Sequence, residues 1–483
     1  LISRHITMKD TIKHTYLAAD FGGGSGRIIA GFLLNGRLEL EEIYRFSNRQ
    51  VKLGNHIYWD FPALFEDMKT GLKLAAQKGY AVKGIGIDTW GVDFGLIDKH
   101  GNLLGNPVCY RDARTEGMPA EVFKCMDERR HYAETGIQVM PINTLFQLYS
   151  MKQNQDAQLE VARQLLFMPD LFSYFLTGVA NNEYCIASTS ELLNAQSRNW
   201  SFDTIHTLGL PEHLFGEIIL PGTIRGTLKE DIARETGLGA VDVIAVGSHD
   251  TASAVAAVPA AESPIAFLSS GTWSLLGVEV DEPILTEEAR KAQFTNEGGV
   301  DGKIRFLQNI TGLWILQRLM SEWKACGEEQ DYDIIIPQAA EAEIDTIIPV
   351  DDTIFMNPEN MENALIHYCR NHALQIPQNK AETVRCVLQS LAFRYRLAVE
   401  QLNRCLPAPI RQLNIIGGGS QNKLLNQLTA DELGIPVYAG PVEATAMGNI
   451  LTQAMAKGEI ADLRELREIV TRSVTPQVYY PKK

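Results

Sequence analysis

Hydrophobic and polar positions in the first hundred residues alternate between strand-like and helix-like spacing. Apolar runs flank a glycine-rich stretch at 22–26, and a third run follows Asn35-Gly36, so the pattern predicts an antiparallel meander over about 15–38. Residues 63–79 carry apolar side chains at helical spacing and end on a glycine, which predicts a helix. Strand character returns over residues 82–98.

The middle of the chain is rich in helix-like patterns. We predict helices over "NTLFQLYSMKQ" (143–153) and "QLLFMPDLFSYFLTG" (164–178). Near residue 240 the pattern resets to an apolar strand, which breaks at Gly247 into polar residues and continues as a helix.

Two later stretches resemble the opening one in form. Residues 264–280 predict a strand, a Ser-Ser-Gly-Thr turn and a second strand, and residues 412–434 predict a strand, three glycines and a helix from Ser420. We therefore predict an N-terminal tail (1–14), a first α/β domain (15–247) and a second (248–483) around a shared cleft.

Composition limits the classes of function. The 483 residues exceed one core, and 45% apolar content with a mean hydropathy of −0.09 is typical of a globular protein. A net charge of −15 argues against a general nucleic-acid or anionic-membrane binder. The seven cysteines show no CxxC spacing, and no apolar run reaches about 18 residues, so we expect a reduced, cytoplasmic protein without a membrane span.

The stretch "DFGGGSGR" (20–27) places an acid, four glycines, a serine and an arginine between two strands. Glycine lets backbone N–H groups approach phosphate oxygens, Arg27 suits bidentate phosphate binding, and Asp20 suits a Mg²⁺ ion. A loose hairpin loop explains the same residues without a ligand.

The stretch "GSHDTASA" (247–254) places Asp250 where a strand gives way to a helix. This position suits a general base that takes a proton from a substrate hydroxyl, with His249 and Thr251 beside the same substrate. A simple helix N-cap is the alternative interpretation.

Further polar turns follow the same scheme. Thr272 in "SSGTWS" lies in a turn that suits phosphates, and "GGGSQN" (417–422) suits an anion or a passing adenosine, with a tight strand–helix turn as the alternative. The stretches "DTWGVDFG" (88–95) and "YRDART" (110–115) combine carboxylates, aromatic rings and arginines as a polyol site does, although each also fits a solvated loop.

Together these strings resemble the FGGY carbohydrate kinases. The matching stretches include "DFGGGSGR", "IGIDTWGVDF", "YRDART", "SHDTASAV", "LSSGTWSL" and "GGGSQNKLLNQLTADELGIPV", and they span about residues 15–450. The resemblance implies the two-domain actin/hexokinase/Hsp70-like (ribonuclease H-like) ATPase fold with a cleft between the domains. It also implies ATP with Mg²⁺, release of ADP, and phosphorylation of a small ketose at O1, with L-rhamnulose the expected substrate.

The resemblance also implies roles for single residues. Asp250 falls on the catalytic base, and Gly91, His249, Thr251 and Asn309 fall on substrate contacts. The implied ATP contacts are Gly23, Gly24, Ser25, Gly26, Arg27, Thr272, Gln317 and Gly418.

Two other interpretations stay open at this point. One is a kinase for another ketose, such as L-fuculose, xylulose or ribulose. The other is an actin-like or Hsp70-like ATP-binding regulator without sugar kinase activity. For all of these interpretations we expect a monomer or homodimer and no nucleic-acid or membrane partner.

Overall fold

The computed structural model of the chain describes residues 14–259 and 264–482. The predicted tail lies outside this range, except for His14, which is the first residue of the first strand. The strands are β1 (His14–Phe21), β2 (Ser25–Leu34), β3 (Arg37–Ser47), β4 (Gln50–Leu53), β5 (His56–Trp59), β6 (Ala81–Thr89), β7 (Phe94–Asp98), β8 (Ala162–Phe167), β9 (Asn182–Glu183), β10 (Leu193–Asn194), β11 (Asn199–Trp200), β12 (Ile218–Ile219), β13 (Ile224–Thr227), β14 (Asp242–Ile244), β15 (Ile265–Ser270), β16 (Trp273–Val280), β17 (Thr295–Gly298), β18 (Ile304–Thr311), β19 (Leu413–Ile416), β20 (Val437–Ala439) and β21 (Gln477–Tyr479).

Helices join and cover these strands. The α-helices are α1 (Phe61–Gln77), α2 (Met118–Cys125), α3 (Glu128–Thr135), α4 (Thr144–Gln153), α5 (Ala157–Val161), α6 (Met168–Thr177), α7 (Tyr184–Ala187), α8 (Phe202–Thr207), α9 (Glu230–Thr236), α10 (Asp250–Ala256), α11 (Glu287–Lys291), α12 (Trp314–Ala325), α13 (Tyr332–Glu341), α14 (Met361–Asn371), α15 (Lys380–Cys405), α16 (Lys423–Leu433), α17 (Ala444–Ala456) and α18 (Leu463–Ser473). Short 3-10 turns form at Ala113–Thr115, Ser188–Ser190, Glu212–Leu214, Val300–Gly302, Thr353–Phe355 and Gly418–Gln421.

The first sheet has the strand order β13-β14-β6-β1-β2-β3. Its β1–β2–β3 part is the predicted antiparallel meander, and the second turn places Asn35 and Gly36 at φ 51° and 71°, a conformation that these two residue types tolerate. Strands β6 and β14 add in parallel beside β1. The predicted helix over 63–79 forms as α1.

The second sheet repeats this topology in the order β17-β18-β16-β15-β19-β20-β21. Strand β15 pairs antiparallel with β16 and parallel with β19, just as β1 pairs with β2 and β6. The chain thus builds two related α/β halves, each with a polar turn after its first strand.

Helices α10 and α17 pack between the two sheets and share one core with both. Gly448 of α17 comes so close to α10 that a Cβ placed on it would lie 1.8 Å from the carbonyl oxygen of Ser253. On the other side of α17, the Gln453 amide donates to the Leu17 carbonyl of β1 at 3.0 Å. A helix late in the chain therefore docks on the first sheet and fixes where α10 begins.

Two helices begin later in the chain than the sequence predicts. Residues 164–167 belong to strand β8, because they pair antiparallel with β7, and the helix begins only at Met168 with Pro169 in its first turn. The late helix begins at Lys423 rather than Ser420, since Asn422 caps it through the Leu425 amide and Ser420 lies in a 3-10 turn.

We predict that Gly448→Ala destabilises the protein, because the added methyl group would push α10 and α17 apart. Overpacking of this kind costs about 3 kcal/mol of unfolding free energy, which thermal melting measures as a lowered midpoint. Gly24→Ala is the matched control, since a Cβ at Gly24 meets nothing within 4 Å. Equal melting of the two variants would contradict the close helix contact.

Candidate active site

The carboxyl ends of parallel strands bring three aspartates together. Asp20 at the end of β1 is the register partner of Asp88 on β6, so their side chains leave the same face of the sheet from adjacent strands. Past the end of β6, Thr89 pairs with His249 in a parallel bridge, and Asp250 follows as the first residue of α10. The edge of the sheet therefore carries the predicted metal ligand and the predicted base side by side.

Asp88 is the fully buried member of this group. Asn449 of α17 donates to its Oδ2 at 2.6 Å, while its Oδ1 is buried without a hydrogen-bond donor. Burial raises the pKa of Asp88 well above its usual range, and the charges of Asp20 and Asp250 raise it further. The sequence placed Asp88 in a candidate polyol stretch and only Asp20 beside a metal ion, whereas strand register brings the two residues together.

Asp250 lies in an environment that suits a proton acceptor. Its side chain keeps 33% exposure toward the cleft, and desolvation by the surrounding protein, together with the charge of Asp20, raises its pKa above the usual aspartate range against the lowering effect of His249. It is not the N-cap of α10, since His249 holds that position. The carboxylate instead accepts from the Thr251 amide at 2.6 Å.

His249 connects this group to the second sheet. Its ring lies 3.4 Å from the Asp250 carboxylate, and its Nδ1 lies 3.3 Å from Glu297 and 3.2 Å from Arg305, which are register partners on β17 and β18. Burial alone would raise the pKa of Glu297, but Arg305 and His249 outweigh it and hold that pKa below its usual range. His249 is therefore fixed between charged residues of the second half.

The glycine loop after β1 is held by Asn48. The Asn48 backbone N–H donates to the Gly24 carbonyl at 3.2 Å, and its side-chain amide donates to the Gly22 carbonyl at 2.9 Å. A Cβ at Gly24 would meet nothing, whereas one at Gly26 would lie 2.3 Å from the ring of Phe46. Gly23 and Gly24 thus keep open space beside their amides, Ser25 begins β2, and packing against Phe46 explains the glycine at 26.

Arg27, a predicted phosphate ligand, is engaged by carboxylates. It lies 2.6 Å from Asp20 and 2.7 Å from Glu443, the residue that precedes α17. Desolvation lowers the pKa of Arg27, but the two carboxylates outweigh it and raise that pKa. Arg27 therefore joins the strand edge to α17.

The predicted nucleotide contacts of the second half lie close to one another. The Thr272 hydroxyl donates to the Gln317 side chain at 3.0 Å. The 3-10 turn that starts at Gly418 packs on the same strand end, since a Cβ at Gly419 would lie 2.0 Å from the Ser270 hydroxyl. A Cβ at Gly418 itself would meet nothing, so that position is open.

The other predicted substrate contacts lie on separate elements. Gly91 precedes Val92, a β-branched residue at φ 66°, which the Thr189 and Thr144 hydroxyls hold through its N–H and C=O at 3.1 and 2.6 Å. On β18, Asn309 donates to the Gln138 side chain through both its backbone and its amide nitrogens, at 3.2 and 3.1 Å. Asn309 thus contacts the first half through Gln138.

Asp93 organises the "DTWGVDFG" and "YRDART" stretches. The indole nitrogens of Trp59 and Trp90 donate to its Oδ2 at 2.6 and 3.0 Å. The Tyr110 backbone N–H donates to the same oxygen at 3.1 Å, and the Gln147 side chain donates to Oδ1 at 3.0 Å. Burial raises the pKa of Asp93 to about 6, against the lowering effect of these donors. Asp93 therefore holds the Trp59 and Trp90 rings and the Tyr110 backbone in place.

The described part of the chain holds neither a preformed metal cluster nor a membrane-spanning helix. Within residues 14–259 and 264–482, no group of three or more His, Cys, Asp or Glu side chains is arranged to hold a metal ion on its own. In the same ranges no helix combines the length and apolar character needed to cross a membrane. The seven cysteines are unpaired; Cys109, Cys185, Cys369 and Cys386 are buried.

Solved structures share the overall fold. The chain superposes on a ligand-bound xylulose kinase from Lactobacillus acidophilus with a TM-score of 0.81 at 16% identity, covering 97% of this chain and 94% of the other. A glycerol kinase from Plasmodium falciparum with ADP gives a TM-score of 0.78 at 14% identity, over 97% and 94% of the two chains. The protein thus has the predicted two-domain actin/hexokinase-like fold, as these sugar kinases do.

Sequence comparison defines the family. Residues 16–257 match the N-terminal domain, and residues 266–457 the C-terminal domain, of the FGGY family of carbohydrate kinases. A rhamnulokinase of Bacteroides thetaiotaomicron is 48% identical over 472 residues, covering 98% of this chain and 96% of the relative, and one of Oceanobacillus iheyensis is 41% identical over 96% and 97%. The chain belongs to the FGGY family of carbohydrate kinases, which are enzymes that use ATP to phosphorylate a sugar.

We predict that Asp88→Asn stabilises the metal-free protein at high pH. The folded state binds the Asp88 proton more tightly than the unfolded chain, so its contribution to stability is present at low pH and is lost as pH rises through the raised pKa. Replacing the carboxylate removes this loss. Thermal melting in EDTA should show a higher midpoint for the variant near pH ~8, and little difference near pH ~4. A lower midpoint for the variant near pH ~8 would contradict the unfavourable burial of this charge.

Proposed function

We propose that this chain is an ATP-dependent L-rhamnulose kinase, which transfers the γ-phosphate of ATP to O1 of L-rhamnulose and releases ADP. The observation that carries the choice of sugar is the 48% identity to the Bacteroides rhamnulokinase over nearly the full length of both chains. The raised pKa of Asp250 at the strand edge supports the chemistry, because a carboxylate with a raised pKa is a stronger proton acceptor.

The proposed reaction assigns one step to each group of residues. Asp250 takes the proton from O1 as the O1–P bond forms and the bond from the γ-phosphorus to the β-phosphate oxygen breaks. His249, fixed by Glu297 and Arg305, orients the sugar beside this carboxylate. The open amides of Gly23 and Gly24 face the phosphates, where oriented N–H groups stabilise the transferred charge.

Two carboxylates at the strand edge fit a Mg²⁺ ion. Asp20 and the donor-free Oδ1 of buried Asp88 leave acidic oxygens that a hard cation would satisfy, and Mg²⁺ is bound through one or two carboxylates plus substrate phosphates. When bound there, Mg²⁺ would neutralise charge on the phosphates. We propose Asp20, with Asp88, as its protein ligands.

We propose that the two halves of the chain bind different substrates. The first half (15–247) would bind mainly the sugar and the second half (248–483) mainly the nucleotide. Contacts that join the halves, such as Asn309 with Gln138, support a cleft that closes around both substrates and excludes water.

A panel of ketoses tests the choice of substrate. With ATP and Mg²⁺, we expect the highest kcat/KM for L-rhamnulose over L-fuculose, xylulose and ribulose in an assay coupled to ADP release. NMR of the product should place the phosphate on O1. A clear preference for another ketose would make the chain a kinase of that sugar. ATP turnover independent of any ketose would favour an actin-like or Hsp70-like ATP-binding regulator.

We predict that Asp250→Asn lowers kcat by about 100-fold or more, because the amide cannot accept the O1 proton. The side chain keeps its size, so L-rhamnulose binding measured by calorimetry should persist. Asp203→Asn, at a carboxylate that is 78% exposed, is the control and should leave kcat unchanged. Near-normal turnover by Asp250→Asn would remove this residue from its assigned role.

A further inference from the structure

Arg111 lies between rings from both halves of the chain. Its guanidinium carbon is 5.2 Å from the ring centroid of Tyr110 in the first half and 4.6 Å from that of Trp314, the first residue of α12, in the second. Both distances are within the range of cation–π attraction. Since stacking uses the flat face of a guanidinium, its N–H edges stay available for an acceptor.

The charge of Arg111 has no acidic partner in the described ranges, 14–259 and 264–482. This distinguishes it from Arg27, which is paired with Asp20 and Glu443. It also differs from Arg318, which lies 5.6 Å from the same Trp314 ring but is paired with Glu322 at 3.0 Å. A half-buried cation without an acidic partner attracts anions.

The two aromatic residues that flank Arg111 each contact one of the polar turns. The Tyr110 hydroxyl would lie 3.9 Å from a Cβ on Gly23, and the Tyr110 side chain also interacts with Trp273. On the other side, the Trp314 amide donates to the Thr272 carbonyl at 3.3 Å. Arg111 is therefore placed between the glycine loop of the first half and the Thr272 turn of the second.

We propose that Arg111 binds the terminal phosphate of the nucleotide, with its guanidinium held across the cleft by Tyr110 and Trp314. Since Arg27 is engaged by two carboxylates, Arg111 supplies the positive charge that the phosphates need from the first half. The assignment rests on the proposed function only in taking ATP as the ligand, and it adds a residue of the "YRDART" stretch to the phosphate site.

Nucleotide binding without sugar tests this assignment. For Arg111→Gln, calorimetry should show AMP-PNP with Mg²⁺ binding about tenfold or more weakly, the usual loss for a hydrogen bond to a charged group. AMP should bind as it does to the unchanged protein, because it lacks the terminal phosphates. Arg318→Gln is the matched control beside the same ring and should bind both nucleotides normally.

Two further variants separate phosphate binding from a purely structural role. Arg111→Lys keeps the charge and should recover part of the AMP-PNP affinity, while Trp314→Leu keeps the guanidinium and should lose less affinity than Arg111→Gln. Equal weakening of AMP-PNP and AMP by Arg111→Gln, or no weakening of either, would overturn the assignment. Because no ketose is present, failure of the chain to phosphorylate L-rhamnulose would overturn the proposed function and leave this result standing.

Discussion

The close packing of α10 against α17 sets the positions of the site residues at the strand ends. These helices pack between two sheets, and only glycine at 448 lets the backbone of α10 come so near. The same helix α17 donates hydrogen bonds through Asn449 and Gln453 to the first sheet. The start of α10, and with it Asp250, is thereby fixed against the ends of β1 and β6.

This packing gathers negative charge that the protein alone does not neutralise. Asp88 is buried with one oxygen lacking a donor, and its pKa and that of Asp250 are both raised. Arg27 offsets part of the charge of Asp20, but it is shared with Glu443. The carboxylates at this edge can bind a cation and accept a proton, and phosphoryl transfer to a hydroxyl needs both.

Local patterns predicted the elements but not their contacts. The meander after residue 14, the strand-to-helix break at Asp250 and the glycine turns were all predicted, because each depends on a few neighbouring residues. Residues 164–167 were wrongly predicted as helix, since pairing with β7 overrides their local pattern. The role of Asp88 opposite Asp20 and the pairing of Arg27 with Glu443, which is 416 residues away, follow from the tertiary fold and have no local signal.

A crystal structure of the chain with L-rhamnulose, AMP-PNP and Mg²⁺ would test whether Asp250 is placed to act as the base. With the two halves closed, we expect a carboxylate oxygen of Asp250 to lie about 2.6–3.2 Å from O1 of the sugar. We also expect O1 to face the terminal phosphate. A closed complex in which this carboxylate points away from every sugar oxygen would rule out Asp250 as the base.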